Sequence, residues 1–206
     1  MGRPNLAAHK KTRRDLGAWL CWEDESGQGL RPPKATTWAP RGQTPVVKVT
    51  GKGYGRVAVA GLVCARPGRR TRLIYRTLVR RGRPGEPRGF TARDFARLLD
   101  AAHAQLGGKI VLVWDNDRQH HSRLMREAIE ARCSWLTVFR LPAYTPEMNP
   151  VEGAWSSLRR GLANLAPHGI DELTAAVKTR LKRMQYRRDG LLDGFIAETG
   201  FTLEPS

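Results

Sequence analysis

The stretch that most restricts the fold is KIVLVW at residues 109–114, where five apolar residues follow one lysine without interruption and end on the carboxylate of Asp115. A strand exposed on one face alternates apolar and polar side chains. A run without alternation therefore reads as a strand buried on both faces, in a mixed or parallel sheet. Asp115 then stands at the C-terminal tip of that strand, where open α/β sheets build their sites. A second carboxylate follows at a helix start. Asn149 suits a helix cap, Pro150 the first helical position, and Glu152 falls three residues after the cap, where a capping box carries its acid. Val151, Ala154, Trp155, Leu158, Leu162 and Leu165 recur at helical spacing as a buried stripe, which turns Arg159 and Arg160 outward. An isolated Asn-x-x-Glu needs no role beyond capping, so the spacing alone leaves Glu152 with two readings.

The flanking segments supply the rest of a sheet and its helices. AWLCW (residues 18–22) is a short apolar run leading into Glu23, Asp24 and Glu25, three acids that on their own read as a solvated turn. Residues 46–49, 56–65 and 73–79 are β-branched or alternating runs between Gly-rich or basic turns, as in antiparallel strands. Thr91 caps a helix with Phe95, Leu98, Leu99, Ala102 and Leu106 on one side, and Gly107-Gly108 ends it. A helix over 122–132 and a strand over 135–141 follow. An amphipathic helix then carries Ile170, Leu173, Val177, Leu181 and Met184 inward and a basic face outward, and a short helix spans 191–199. Trp38, in a Gly- and Pro-punctuated segment, is expected to pack on the core, with approach to a DNA base as the alternative. The irregular loop at 80–89, RRGRPGEPRG, is either a phosphate contact or a mobile loop. Three units are expected: a basic arm over 1–16, an α/β domain over 17–165 and a C-terminal helical extension over 166–206.

Charge narrows the class of partner. Thirty-six Lys and Arg against 19 Asp and Glu give a net charge of +17, a field that draws polyanions, most simply DNA. Cys21, Cys64 and Cys133 are too few and too widely spaced for a disulfide framework or a thiolate zinc site, and fit a reducing cytoplasm. The N-terminal 16 residues carry Lys10, Lys11, Arg13 and Arg14 but no apolar signal core, and no apolar run reaches the length of a membrane span.

Asp115-Asn116, followed by Pro142, Thr145, Pro146, Asn149, Pro150, Val151, Glu152 and Trp155, resembles the signature of the mariner-like DDE transposases and their bacterial insertion-sequence relatives. In these a strand ends in Asp-Asn and a Pro-x-x-(Ser/Thr)-Pro-x-x-Asn-Pro-(hydrophobic)-Glu-x-x-Trp motif follows. Thirty-six residues lie between Asp115 and Glu152, in keeping with the family's middle-thirties spacing. Asp24-Glu25-Ser26 resembles the family's first-strand ending, and TWAPRGQTP (37–45) a segment that follows it. The resemblance implies a ribonuclease-H-like fold, which the element order also suggests, and a triad of Asp24, Asp115 and Glu152.

In such a fold the two aspartate strands lie side by side, and three carboxylates without an internal cation repel one another unless a divalent metal is bound. Oxygen-only ligation favours Mg²⁺ or Mn²⁺, and two such ions about 4 Å apart serve in-line displacement at phosphorus. The implied reaction is DNA nicking followed by strand transfer. Asn116, His120 and Asn149 would orient ligands or substrate, Asn116 and His120 by the family's Asp-Asn-x-x-x-His pattern. Arg69, Arg70, Arg159, Arg160, Lys182 and Arg183 are the candidate DNA contacts.

Nothing before Asp24 is long enough for the helix-turn-helix module of full-length relatives. The expected partners are therefore DNA, a separately encoded helix-turn-helix protein and a second copy of the chain, at the nucleoid and not at a membrane. The alternatives are a truncated remnant that only binds DNA, and another ribonuclease-H-like nuclease.

Overall fold

The computed structural model of the chain describes residues 17–31, 33, 38–43, 46, 55–115, 122–142, 145–187 and 189–201. Five strands make one mixed sheet: β1 (Trp19–Gly29), β2 (Arg56–Arg66), β3 (Arg69–Arg80), β4 (Ile110–Trp114) and β5 (Leu136–Arg140), in the spatial order β3-β2-β1-β4-β5. β1, β2 and β3 pair antiparallel, while β4 joins β1, and β5 joins β4, in parallel. Among the described residues five helices flank the sheet: α1 (Ala92–Leu106), α2 (Arg123–Glu130), α3 (Val151–Gly161), α4 (Ile170–Tyr186) and α5 (Leu191–Glu198). This is the ribonuclease-H-like succession that the element order anticipates.

Strand alternation assigns the two faces. Leu20 and Trp22 of β1 share a core with Val111 and Val113 of β4 and with the apolar stripes of α3, α4 and α5. Trp19 and Cys21 share the other with Ile110, Leu112 and Trp114, beneath α1 and α2. Both faces are covered, so all five residues of β4 are buried, as the lack of alternation in IVLVW requires. The helix boundaries follow local chemistry. Thr91 and Asp94 close a reciprocal capping box on α1, Gly107 ends it at φ 63°, and the Ser122 hydroxyl accepts the Met125 N–H at the start of α2.

β1 runs well past its apolar half because β2 carries it. The pairing with β4 stops at Trp22/Val113, but the antiparallel ladder with β2 continues to Gly29/Arg56. One expectation from the sequence is corrected, and a second falls mostly outside the described residues. Trp38 is 100% exposed, not packed on the core: helices already cover both faces of the sheet, and residues 38–43 are all exposed. Of the expected strand over 46–49, only Val46 lies within the described residues, and it is exposed and outside any strand. The loop after β3 folds on its own acid: the Glu86 carboxylate accepts the N–H groups of Arg81, Gly82 and Arg83 at 2.7, 2.9 and 3.2 Å.

Gly61 is required by packing. It lies opposite Asp24 in the β1/β2 ladder, and a Cβ there would stand 2.7 Å from Cη2 of Trp155. Gly61→Ala is expected to destabilise the chain by about 1–3 kcal/mol, the usual result of overpacking a core, as read from urea denaturation. An unchanged midpoint would show that Trp155 can retreat without loss.

Candidate active site

The three acids come from three elements. Asp24 sits on β1 two residues beyond Trp22, and Asp115 two residues beyond Val113, so the parallel register carried past its last pair sets the two side by side. Alternation gives Asp24 the same face as Leu20 and Trp22, which is the face that α3 covers. The same rule turns Glu23 to the opposite face, where it is 2% exposed. Of Glu23, Asp24 and Glu25, parity puts Asp24 on the face that α3 covers.

Glu152 is delivered by the start of α3, which Asn149 pins to β1. Buried Asn149 accepts the Val151 N–H on its Oδ1 at 3.1 Å and donates its Nδ2–H to the Glu23 carbonyl at 2.9 Å. Pro150, at φ −64°, already has helical backbone. The reciprocal bond of a capping box is not made: the Asn149 N–H donates to the Pro146 carbonyl at 2.9 Å. Glu152 instead lies 3.8 Å from Arg159 Nη2, a half-exposed and weak pairing. Its carboxylate therefore does not serve the helix backbone in the way its spacing alone suggests.

Asp24 carries the electrostatic signature of the group. Burial, and after it the nearby Glu152 carboxylate, push its carboxyl up to about 7. The Glu25 N–H, donating to Asp24 Oδ1 at 2.8 Å, opposes this, Asp115 adds a smaller push upward, and the Trp155 indole N–H, donating to Oδ2 at 3.1 Å, pulls down. Glu152 and Asp115 are therefore both within electrostatic reach of Asp24. Among the described residues, no three acidic, His or Cys side chains close on one point as a formed metal shell. The donor set is nonetheless three hard oxygen ligands of like charge, which suits a hard divalent cation.

The remaining candidates are dispersed. Asn116 and His120 lie outside the described residues. Arg69, Arg159, Arg160, Lys182 and Arg183 are exposed. Arg70 is engaged in the fold, its Nη2 donating to the carbonyls of Gln185 and Arg187 at 2.9 and 2.6 Å. Sequence reasoning missed the Trp155–Asp24 hydrogen bond and the glycine niche at Gly61 that admits the ring. Trp155 reads as core from its periodicity, and it is core, but its one polar atom is spent on the site.

The sequence profile described as DDE superfamily endonuclease matches residues 19–174. No curated protein matches the chain. Among solved structures, the Mos1 strand transfer complex aligns with a TM-score of 0.60 at 17% identity, over 96% of this chain and 60% of that one. The Mos1 mariner paired end complex with Mn aligns with a TM-score of 0.57 at 16% identity, over 96% and 61%. The catalytic domain of Mos1 mariner transposase aligns at 0.51 and 14%, over 97% and 91%. The chain thus spans about three fifths of the Mos1 chains in those complexes, and at these identities the likeness is one of fold.

Proposed function

From the chain's membership in the DDE superfamily endonuclease family, whose profile covers most of it, we propose that it is the metal-dependent DNA-cleaving and strand-transfer core of a transposase. The observation that carries this reading is the coupling of Asp24 to Glu152 and Asp115 from three separate elements, in a chain of net charge +17. Asp24, Asp115 and Glu152 would hold Mg²⁺ or Mn²⁺, two ions in the full site, supplying Lewis-acid activation of a water or DNA 3′-hydroxyl and stabilising the leaving oxygen. The Mos1 paired-end complexes that contain Mn and Mg support this choice of ion by likeness of fold.

The chain's own groups prepare the site. The Glu25 N–H and the Trp155 indole N–H hold the Asp24 carboxylate oxygens in place, and Asn149 fixes the start of α3 against β1 so that Glu152 emerges beside them. Asn116 and His120 are assigned ligand or substrate orientation. Residues 17–165 form the catalytic unit and 166–206 its helical extension, working with DNA, a second copy of the chain and a separately encoded helix-turn-helix protein.

The direct test is cleavage of duplex DNA by the purified chain, titrated with Mg²⁺ and then Mn²⁺. Cleavage should require the ion, and cutting that persists in chelator would sink the proposal. Binding is expected to be independent of sequence and steeply salt-dependent. Four phosphate contacts would weaken it about 10²-fold between roughly 50 and 200 mM salt. A flat salt titration would remove the electrostatic basis of the DNA reading.

A further inference from the structure

Three helices meet at a groove that the triad does not use. It is lined by Ser157 and Gly161 of α3 and by Arg180, Arg183, Tyr186 and Arg187 at the end of α4, and is closed on the far side by α5. Gly161 keeps it open, since a Cβ there would lie 3.1 Å from Arg180 Cδ, so the arginine stem can rest across the last turn of α3. Tyr186 is 63% exposed. A tyrosine hydroxyl, a serine hydroxyl and guanidinium groups are the donors that contact DNA phosphates.

The fold itself does not call for this charge. Basic residues in a helix's last turns commonly satisfy its free carbonyls and its dipole. Here Arg70, reaching from β3, takes the carbonyls of Gln185 and Arg187. The acids of α4 are occupied at its other end, Asp171 with Arg81 and Glu172 with His168. Among the described residues no carboxylate pairs with Arg180 or Arg183, and Arg187 has only the exposed Asp189. The positive charge in the groove is left for a ligand.

Position identifies the ligand. α3 runs from Glu152 in its first turn to Gly161 at its end, a rise of about 13 Å, with Arg159 and Arg160 exposed along the way. At about 3.4 Å of duplex axis per phosphate of one strand, that distance spans roughly four phosphates measured along the axis. We infer that the Ser157–Gly161–Arg180–Arg183–Tyr186 groove grips the phosphate backbone of duplex DNA a few nucleotides from the bond held at the acids. This rests on the proposed action on DNA and adds the surface by which the duplex is held.

The test is fluorescence anisotropy of a labelled duplex with the full chain in EDTA, so that nothing is cut. Arg180→Glu/Arg183→Glu is compared with Arg93→Glu/Arg126→Glu, which makes the same charge change on exposed residues of α1 and α2 over the opposite sheet face. The groove pair should weaken binding at least tenfold more than the control pair and flatten the salt dependence by about two phosphate contacts. Arg180→Gln and Arg183→Gln, which remove charge without reversing it, should show the same ranking and guard against misfolding of the reversed pair. Equal losses in groove and control variants would overturn the groove and leave the nuclease reading intact. Groove-dependent binding by a parent that cuts DNA with no divalent ion would do the reverse.

Discussion

Glu152→Gln is expected to lower Mg²⁺-dependent DNA cleavage by roughly 10³-fold or more, equivalent to about 4 kcal/mol of barrier, while leaving stability within about 0.5 kcal/mol. The amide keeps the shape of the carboxylate and removes its charge, which is what ion binding depends on. The small stability effect follows from the geometry at the start of α3. The backbone N–H that a capping-box glutamate would accept, that of Asn149, is bonded to Pro146, and the contact with Arg159 is long and half-exposed. Asp24→Asn and Asp115→Asn should each reduce cleavage comparably, and combinations should add little, because residues acting as one unit are not additive. A Glu152→Gln chain that cuts at near the parental rate would return Glu152 to a structural role.

How far the sequence carries can be followed residue by residue. IVLVW was legible because burial on both faces suppresses alternation, and the stripes of α3 and α4 because one face of each is buried. Asp24 was reached by resemblance, yet parity with Leu20 and Trp22 separates it from Glu23 and Glu25 on physical grounds alone. Trp38 was misread: a large aromatic predicts burial only where an uncovered apolar face remains to receive it, and local sequence says nothing about that. The roles of Arg70 and Trp155 were illegible for a related reason. Arg70 is held by carbonyls 115 and 117 positions away, and the Trp155–Asp24 bond spans 131 positions. No periodicity encodes such pairings; they exist only once β3 meets α4 and α3 meets β1. The same convergence gathers arginines from α4 and the open turn at Gly161 into one groove.

The raised carboxyl of Asp24 makes a second large effect, a metal requirement for stability that depends on pH. Well below pH 3.8 Asp24 is protonated in both the folded and the unfolded chain, and its site costs nothing. As pH rises from 3.8 towards 7 the unfolded chain gives up this proton while the folded chain keeps it. Folding then loses about 1.4 kcal/mol per pH unit, up to about 4 kcal/mol, and the loss levels off above pH 7. Acids held low by partners, such as Asp94 and Asp100, are ionised in both states above pH 5, so they do not contribute to the change between pH 5 and 8. The metal-free chain should therefore be about 2–3 kcal/mol less stable at pH 8 than at pH 5 on account of Asp24, and Asp24→Asn should flatten that slope. An ion that binds the ionised carboxylates acts in the opposite direction. At about a hundred times its dissociation constant it should return about 2.7 kcal/mol at pH 8, and much less at pH 5, where Asp24 holds its proton. Thermal denaturation of the chain and of Asp24→Asn, each with Mg²⁺ and with EDTA at the two pH values, measures all of this. Equal stabilisation by Mg²⁺ at pH 5 and pH 8, or a pH slope that survives in Asp24→Asn, would mean that the strain in the acid cluster does not reside at Asp24 and is not what the metal relieves.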